Sequence, residues 1–154
     1  MDRFMQAKKV TTSKLLHQLF KTASLDRFFR RLDDTGSNIP SFQDYINNVC
    51  ADKGVPQEHI IKRADIDRTY GHQLFRGTRT PSRDKVIQLA FGFEMGYEEA
   101  QKLLSVARKS ALHPKVKRDA VIIYALERNL ALDDVQATLF DLGVKLLGKD
   151  RNYG

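Results

Sequence analysis

The chain has 154 residues, a length that suits one domain or one domain with a helical extension. Of these residues 42% are hydrophobic and 29% are charged, a balance that excludes a disordered chain. A single cysteine, Cys50, excludes a disulfide framework and a cysteine-based zinc site within the chain. The 26 Lys and Arg residues against 19 Asp and Glu give a formal charge of +7, which favours a polyanionic partner, nucleic acid before anionic membrane, although a solvated lysine-rich surface has the same composition.

The first forty residues predict two short amphipathic helices. No apolar run there is long enough for a signal peptide or a membrane span, and the single cysteine fits a reducing compartment, so we expect a cytoplasmic protein. Ser13 and Ser24 are the candidate N-caps. Large apolar residues follow each cap at helical spacing. The apolar face of the first helix is Leu15, Leu16, Leu19 and Phe20, and the residues expected to face inward in the second are Leu25, Phe28, Phe29 and Leu32.

Helical spacing continues to the C-terminus without the alternation of a strand, so the expected fold class is all-α. Caps and helix breakers predict five helices joined by short turns, at 41–53, 56–64, 67–75, 82–91 and 97–107. Two more follow, one from Pro114 to about residue 129 and one capped by Asp133. Their expected inward residues are Val116, Ala120, Ile123, Tyr124 and Leu126, then Val135, Leu139, Phe140 and Leu142. The predicted organisation is an N-terminal extension (1–40), a central domain (41–107) and a C-terminal extension (108–154).

Residues 57–91 carry the most specific pattern in the chain. Two predicted helices are joined by a very short turn, and a glycine, a basic loop and a capped amphipathic helix follow. The positions that define the pattern are Ile60, Ile61, Ala64, Ile66, Leu74, Gly77, Arg79, Pro81, Ser82, Val86, Leu89 and Ala90. This arrangement resembles the Xre/Cro/CI-type helix-turn-helix family of bacterial and phage regulators. The resemblance implies a five-helix lambda-repressor-like core that binds double-stranded DNA as a transcriptional regulator.

The resemblance also implies a role for each polar position. Residues 67–75 would be the recognition helix in the major groove, and the protein would bind a two-fold operator as a homodimer. The expected base contacts are Arg68, Thr69, His72 and Gln73. The expected phosphate contacts are Gln57, at the start of the preceding helix, and Arg76, Thr78, Arg79 and Arg83, in or beside the following loop.

The sequence departs from the family pattern at three positions. The turn normally favours glycine but has Asp65, which tolerates a left-handed backbone better than most residues. Ile61 stands where a small residue is expected, and Gly71 stands where an aliphatic residue is expected. We hypothesise that Ile61 fills the space above Gly71 and so preserves the core volume. The neighbouring Tyr70 either contacts the DNA backbone or packs on the next helix.

A second basic cluster lies at 108–118, with five Lys or Arg residues and no acid. It is either a solvated linker and helix start or a contact for an anionic partner, DNA or protein. Cations at a helix N-terminus oppose the helix dipole, which favours a partner. Arg118 and Asp119 could instead form a structural ion pair at the edge of the core.

No catalytic constellation emerges, and we expect neither enzymatic activity nor a metal or other cofactor. The four histidines stand in unrelated contexts, and Cys50 falls on an apolar helix face, where a core residue is expected. The alternative function is a helical protein-interaction module, such as an adaptor, an antitoxin or a kinase-associated partner. The Leu- and Phe-rich N-terminal helices favour that alternative if their apolar faces are exposed, because they would then need a protein partner.

Overall fold

The fold is taken from a computed structural model, which describes residues 11–36 and 38–148. These residues form nine α-helices and no strand, which confirms the all-α class. The chain divides into two compact units, 1–40 and 41–154. Parts of both expected extensions, residues 1–10, 37 and 149–154, lie outside the described residues.

The first unit contains α1 (Thr12–Lys21) and α2 (Leu25–Thr35). Thr11, not Ser13, caps α1, because its hydroxyl accepts the Lys14 amide at 3.2 Å. Ser24 caps α2 as predicted. Of the eight apolar residues on the two expected faces, Phe28 alone is buried. The inward orientation expected in α2 is wrong for Leu25 and Phe29, which are exposed, and the apolar face of α1 is exposed at Leu16, Leu19 and Phe20.

The second unit contains seven helices among its described residues. They are α3 (Phe42–Lys53), α4 (Gln57–Arg63), α5 (Arg68–Arg76), α6 (Arg83–Gly92), α7 (Tyr97–Val106), α8 (Lys117–Glu127) and α9 (Leu132–Asp141). The five predicted central helices are found with each end within one residue of the prediction, because caps and left-handed glycines mark half of their ends. Ser41, Asp67 and Ser82 accept hydrogen bonds from first-turn amides, and Gly54 and Gly77 adopt positive φ after α3 and α5.

Helix α6 is the centre of the second unit. Every residue from Val86 to Gly92 is buried, and α6 packs against α4, α7 and α9. Gly92 allows the close approach of α4, since a Cβ there would lie 2.5 Å from the carbonyl oxygen of Ile60. Cys50 is buried, as predicted, and burial raises the pKa of its thiol to about 11.

The buried faces of α8 and α9 differ from the prediction. Helix α8 begins at Lys117, three residues after Pro114, and Ala131 rather than Asp133 is the N-cap residue of α9. The buried residues are Asp119, Ile122, Ala125 and Leu126 in α8, and Leu132, Val135 and Leu139 in α9. Four residues expected inside are exposed instead: Val116, Tyr124, Phe140 and Leu142.

Two crossed ion pairs join α6 to α8, and we call them the α6–α8 brace. Arg83 Nη1 and Nη2 lie 3.2 and 3.0 Å from the two carboxylate oxygens of Asp119, and Arg118 Nη1 and Nη2 lie 3.0 and 2.9 Å from those of Asp84. The dipeptide Arg83-Asp84 therefore pairs with the dipeptide Arg118-Asp119, and Arg118 does not pair with its neighbour Asp119. The brace fixes the C-terminal helices on the central helices through bidentate, charge-assisted hydrogen bonds.

Candidate nucleic-acid interface

The connection between α4 and α5 is a turn of four residues, 64–67, with one left-handed residue. Asp65 has φ +55°, as its position in the pattern predicts, and Asp67 caps α5 by accepting the Tyr70 amide at 3.1 Å. The buried side chain of Gln88 donates to the carbonyl oxygens of Ala64 at 2.9 Å and Asp65 at 3.4 Å. Gln88 therefore holds the turn from inside the core. It was missed in the sequence analysis, where its signal is a single amide within the apolar run 86–91.

The contact between Ile61 and Gly71 is confirmed. A Cβ on Gly71 would lie 2.6–2.8 Å from Cγ2, Cγ1 and Cδ1 of Ile61. Ile61 thus fills the volume that a side chain on α5 would otherwise occupy. The exchange brings α4 and α5 into close contact and fixes the direction in which the solvent-facing side of α5 points.

That solvent-facing side carries the four expected base contacts. The Arg68 side chain is 78% exposed and Thr69 is exposed, while His72 and Gln73, one turn further along, are partly buried. Arg68 Nη2 lies 2.7 Å from Glu58 Oε1 of α4. The hydrogen bond and charge of Arg68, and to a lesser degree His72, lower the pKa of Glu58, so an acid stays ionised at the edge of this face.

Gln57 is tied into a network that connects α3, α4 and α5. Its Nε2 donates to Asn47 Oδ1 at 2.9 Å, and its Oε1 lies 3.3 Å from His72 Nδ1. Asn47 in turn donates to the carbonyl oxygen of Phe75 at 2.7 Å. The side chain of Gln57 is therefore engaged inside the protein, and its own contribution to an anion would come through the first-turn amides of α4.

The loop after α5 is positive and folds back onto the helix. Arg76, Thr78 and Arg79 are exposed. Arg79 Nε donates to Gln73 Oε1 at 3.2 Å, and its guanidinium lies 4.8 Å from the centre of the Tyr70 ring. Tyr70 is thus half-buried beneath a loop cation, and Lys85 Nζ of α6 lies 5.8 Å from its ring centre, so Tyr70 contacts the next helix as the packing alternative expects. The loop and the exposed face of α5 form one continuous polar surface.

Arg83 stands apart from the other expected phosphate contacts. Besides its pairing with Asp119, it donates to the carbonyl oxygens of Ser110 and Ala111, each at 3.0 Å. Its guanidinium is used within the fold, so the structure brings together eight of the nine expected site residues and assigns the ninth to the α6–α8 brace.

The chain matches no family model, no curated protein and no solved structure. None of the described helices is long and apolar enough to cross a membrane. In the described part of the chain, no group of three or more His, Cys, Asp or Glu residues could hold a metal ion.

Proposed function

We propose that this chain is a sequence-specific regulator of transcription that binds double-stranded DNA with α5 in the major groove. The observation that supports the proposal best is the pairing of α4 and α5 across a turn with one left-handed residue, with α5 exposing a row of polar side chains beside a basic loop. The proposal assigns the chain no enzymatic activity and no cofactor, and it locates the protein in the cytoplasm.

The chemistry of the exposed row suits base edges. A guanidinium can donate two hydrogen bonds to guanine O6 and N7, and a glutamine amide can pair with adenine N6 and N7. Arg68 and Gln73 are the side chains that would do this, with Thr69 and His72 between them. Before pairing with a base, Arg68 would have to exchange Glu58 for guanine.

The basic loop would set the register of the protein on the duplex. Arg76, Thr78 and Arg79 would neutralise or hydrogen-bond phosphates, and the first amides of α4 beside Gln57 would contact another phosphate. A single recognition helix reads only a few base pairs, so we propose a homodimer that reads two half-sites related by a two-fold axis.

The first experiment is selection from a pool of random duplexes at physiological salt, followed by titration of the winning sequence. We expect an inverted repeat whose half-sites are about one helical turn apart, with affinity falling steeply as salt rises. Weak, salt-dependent binding without any enriched sequence would contradict the proposal.

Variants at two neighbouring positions separate base reading from phosphate contact. Gln73→Ala should relax the preference at one base position and weaken binding there by about 1–3 kcal/mol. Arg79→Ala should weaken binding to all duplexes alike and reduce the salt slope by about 1. Arg128→Ala, which removes an exposed arginine at the end of α8, is the control. Equal effects of both test variants on random and selected DNA would remove the recognition role from α5.

The second candidate function is protein interaction through the first unit. Five large apolar residues of α1 and α2 are exposed, and Phe20 is 79% exposed. Apolar surface of this kind is typical of a site covered by another chain. We expect Phe20→Ser with Phe29→Ser to abolish a dimer or a protein complex measured by sedimentation, while each protomer keeps its contacts to DNA. An unchanged molar mass across concentrations would contradict this role.

A further inference from the structure

The segment 108–117, which leads from α7 to the first residue of α8, carries four Lys or Arg residues and no acid. Arg108, Lys115 and Lys117 are exposed and Lys109 is partly buried. Within the described residues, no acidic side chain pairs with any of the four. Arg118, directly after them, is the cation that the α6–α8 brace uses. We call residues 108–117 the basic segment.

The basic segment is held in place by hydrogen bonds along its backbone. Arg83 binds the carbonyl oxygens of Ser110 and Ala111. Gln101 both accepts from the amide of Leu112 at 2.8 Å and donates to its carbonyl oxygen at 3.0 Å. Asp119 accepts the amide of His113 at 3.0 Å. The four cations are therefore displayed from an ordered backbone.

Arg83 also fixes where the basic segment lies. It is the first residue of α6, and it follows Arg79 by four residues, which span at most about 14 Å. The segment is therefore close in space to the loop that follows α5. Duplex DNA carries about one phosphate charge per 1.7 Å of its axis, so a surface that contacts phosphates at Arg79 has others within reach of the segment.

We propose that the basic segment is a second phosphate-binding element, which holds the DNA backbone beside the base pairs that α5 reads. The inference rests on the proposed DNA-binding function and extends its footprint to the C-terminal helices. Lys117 opens α8, where the helix dipole opposes a cation and favours an anion, so the dipole and the lysines attract the same phosphate. The α6–α8 brace would set the distance between this contact and α5.

Two charge reversals on one helix test the inference. Lys117→Glu changes the charge at the start of α8, and Arg128→Glu makes the same change directly after its last residue, about 16 Å away along the axis. An acid in the first helical turn is favoured by the dipole, so Lys117→Glu should fold at least as well as the natural chain. Circular dichroism checks that both variants keep their helices.

Affinity is measured for the selected duplex and for a random duplex of about three helical turns, between about 50 and 200 mM salt. We expect Lys117→Glu to reduce the slope of log affinity against log salt by about 1, and to weaken binding roughly tenfold at the lowest salt on both duplexes. The base preference should be unchanged, and Arg128→Glu should match the natural chain.

The possible failures are distinguishable. If the natural chain selects a sequence but Lys117→Glu keeps its affinity and its salt slope, the inference is wrong and the proposed function stands. An equal loss in both variants would also overturn it, because the effect would then be one of net charge. If the natural chain shows no salt-dependent binding to either duplex, the proposed function fails, and the inference fails with it.

Discussion

Arginine is used in two opposite ways within the second unit. In the α6–α8 brace, Arg83 and Arg118 each make a bidentate pair with a carboxylate and further bonds to backbone carbonyls, and their side chains are 24% and 17% exposed. At the exposed face of α5, Arg68 is 78% exposed and has one ionic contact. Arg79 has one hydrogen bond and lies against an aromatic ring.

The difference teaches which polar residues are available to a ligand. A guanidinium with several fixed partners in a partly buried site would leave a carboxylate unpaired if it moved, and that cost keeps it in place. An exposed guanidinium exchanges one partner for another at little cost, because solvent screens the pair. The brace is therefore structural, whereas the arginines on the α5 face and its loop can exchange their present partners.

The largest expected effect comes from breaking the brace. Asp119→Ala removes a carboxylate whose side chain is 6% exposed, leaves the His113 amide without its acceptor, and leaves the Arg83 guanidinium without its counter-charge. We expect the free energy of unfolding in urea to fall by about 3–5 kcal/mol. Arg68→Ala is the matched removal of an exposed pair, and its stability should stay within the error of the measurement. Similar losses of stability in both variants would contradict the difference between the arginines of the brace and those of the α5 face.

The second prediction concerns the buried side of α5. Gly71→Ala should destabilise the chain by about 2 kcal/mol, because the new methyl group collides with Ile61. Ile61→Ala alone should cost about 2–5 kcal/mol, since it leaves a cavity. In the Ile61→Ala background, Gly71→Ala should raise the free energy of unfolding instead of lowering it, because its methyl group fills part of the cavity. A double-mutant cycle from urea denaturation measures the coupling. Additive effects would mean that the two positions do not share one volume.

The local rules of sequence predicted the central helices well and the outer ones less well. Ends marked by Ser41, Gly54, Asp67, Gly77 and Ser82 were predicted to within one residue, because capping and left-handed glycines act over one turn of chain. The exchange between Ile61 and Gly71 was predictable because the family pattern places both positions at the same contact. The resemblance gave the candidate site residues, and the structure added which of them have internal partners.

The inward face of α8 was not predictable from periodicity. Apolar residues stand at so many of its positions that several faces satisfy a helical repeat, and the buried one is selected by Asp119 turning inward to meet Arg83. That partner is 36 residues away in the sequence. Which Arg-Asp dipeptide pairs with which is likewise a long-range choice, because both orders place opposite charges side by side.

The third prediction uses pH to probe the other half of the brace. Burial would raise the pKa of Asp84, but hydrogen bonds from Arg118 and the Gly148 amide, with the charges of Arg118 and Lys145, outweigh it and lower the pKa below its ordinary value of 3.8. A lowered pKa in the folded state means that Asp84 stabilises the fold above pH 3.8 and that this contribution is lost as pH falls below it.

Asp84→Asn should therefore lower the free energy of unfolding by about 1 kcal/mol near neutral pH. The difference in that free energy from the natural chain should shrink as pH falls below 3.8. Chemical denaturation at a series of pH values measures both quantities. Glu99→Gln, in the more exposed pair with Lys53, serves as the control for a general loss of one carboxylate. A difference that stays constant down to the lowest pH would show that the carboxylate charge of Asp84 does not support the brace.

The smallest expected effect on stability comes from the turn that joins α4 to α5. Asp65 and Glu94 have nearly the same left-handed backbone, with φ +55° and +59°, and each directly follows the C-cap residue of a helix. Glycine removes the strain of that conformation but adds freedom to the unfolded chain, and aspartate tolerates it better than glutamate. We expect Asp65→Gly to raise stability by no more than about 0.5 kcal/mol, and Glu94→Gly to raise it by about 1 kcal/mol. Thermal denaturation should show midpoint increases of about 1 and 3 °C.

Since neither change touches the exposed row of α5, the affinity for the selected duplex should be the same in both variants. A loss of affinity in Asp65→Gly alone would mean that the aspartate does more than permit the turn, because the change would then alter the exposed face of α5.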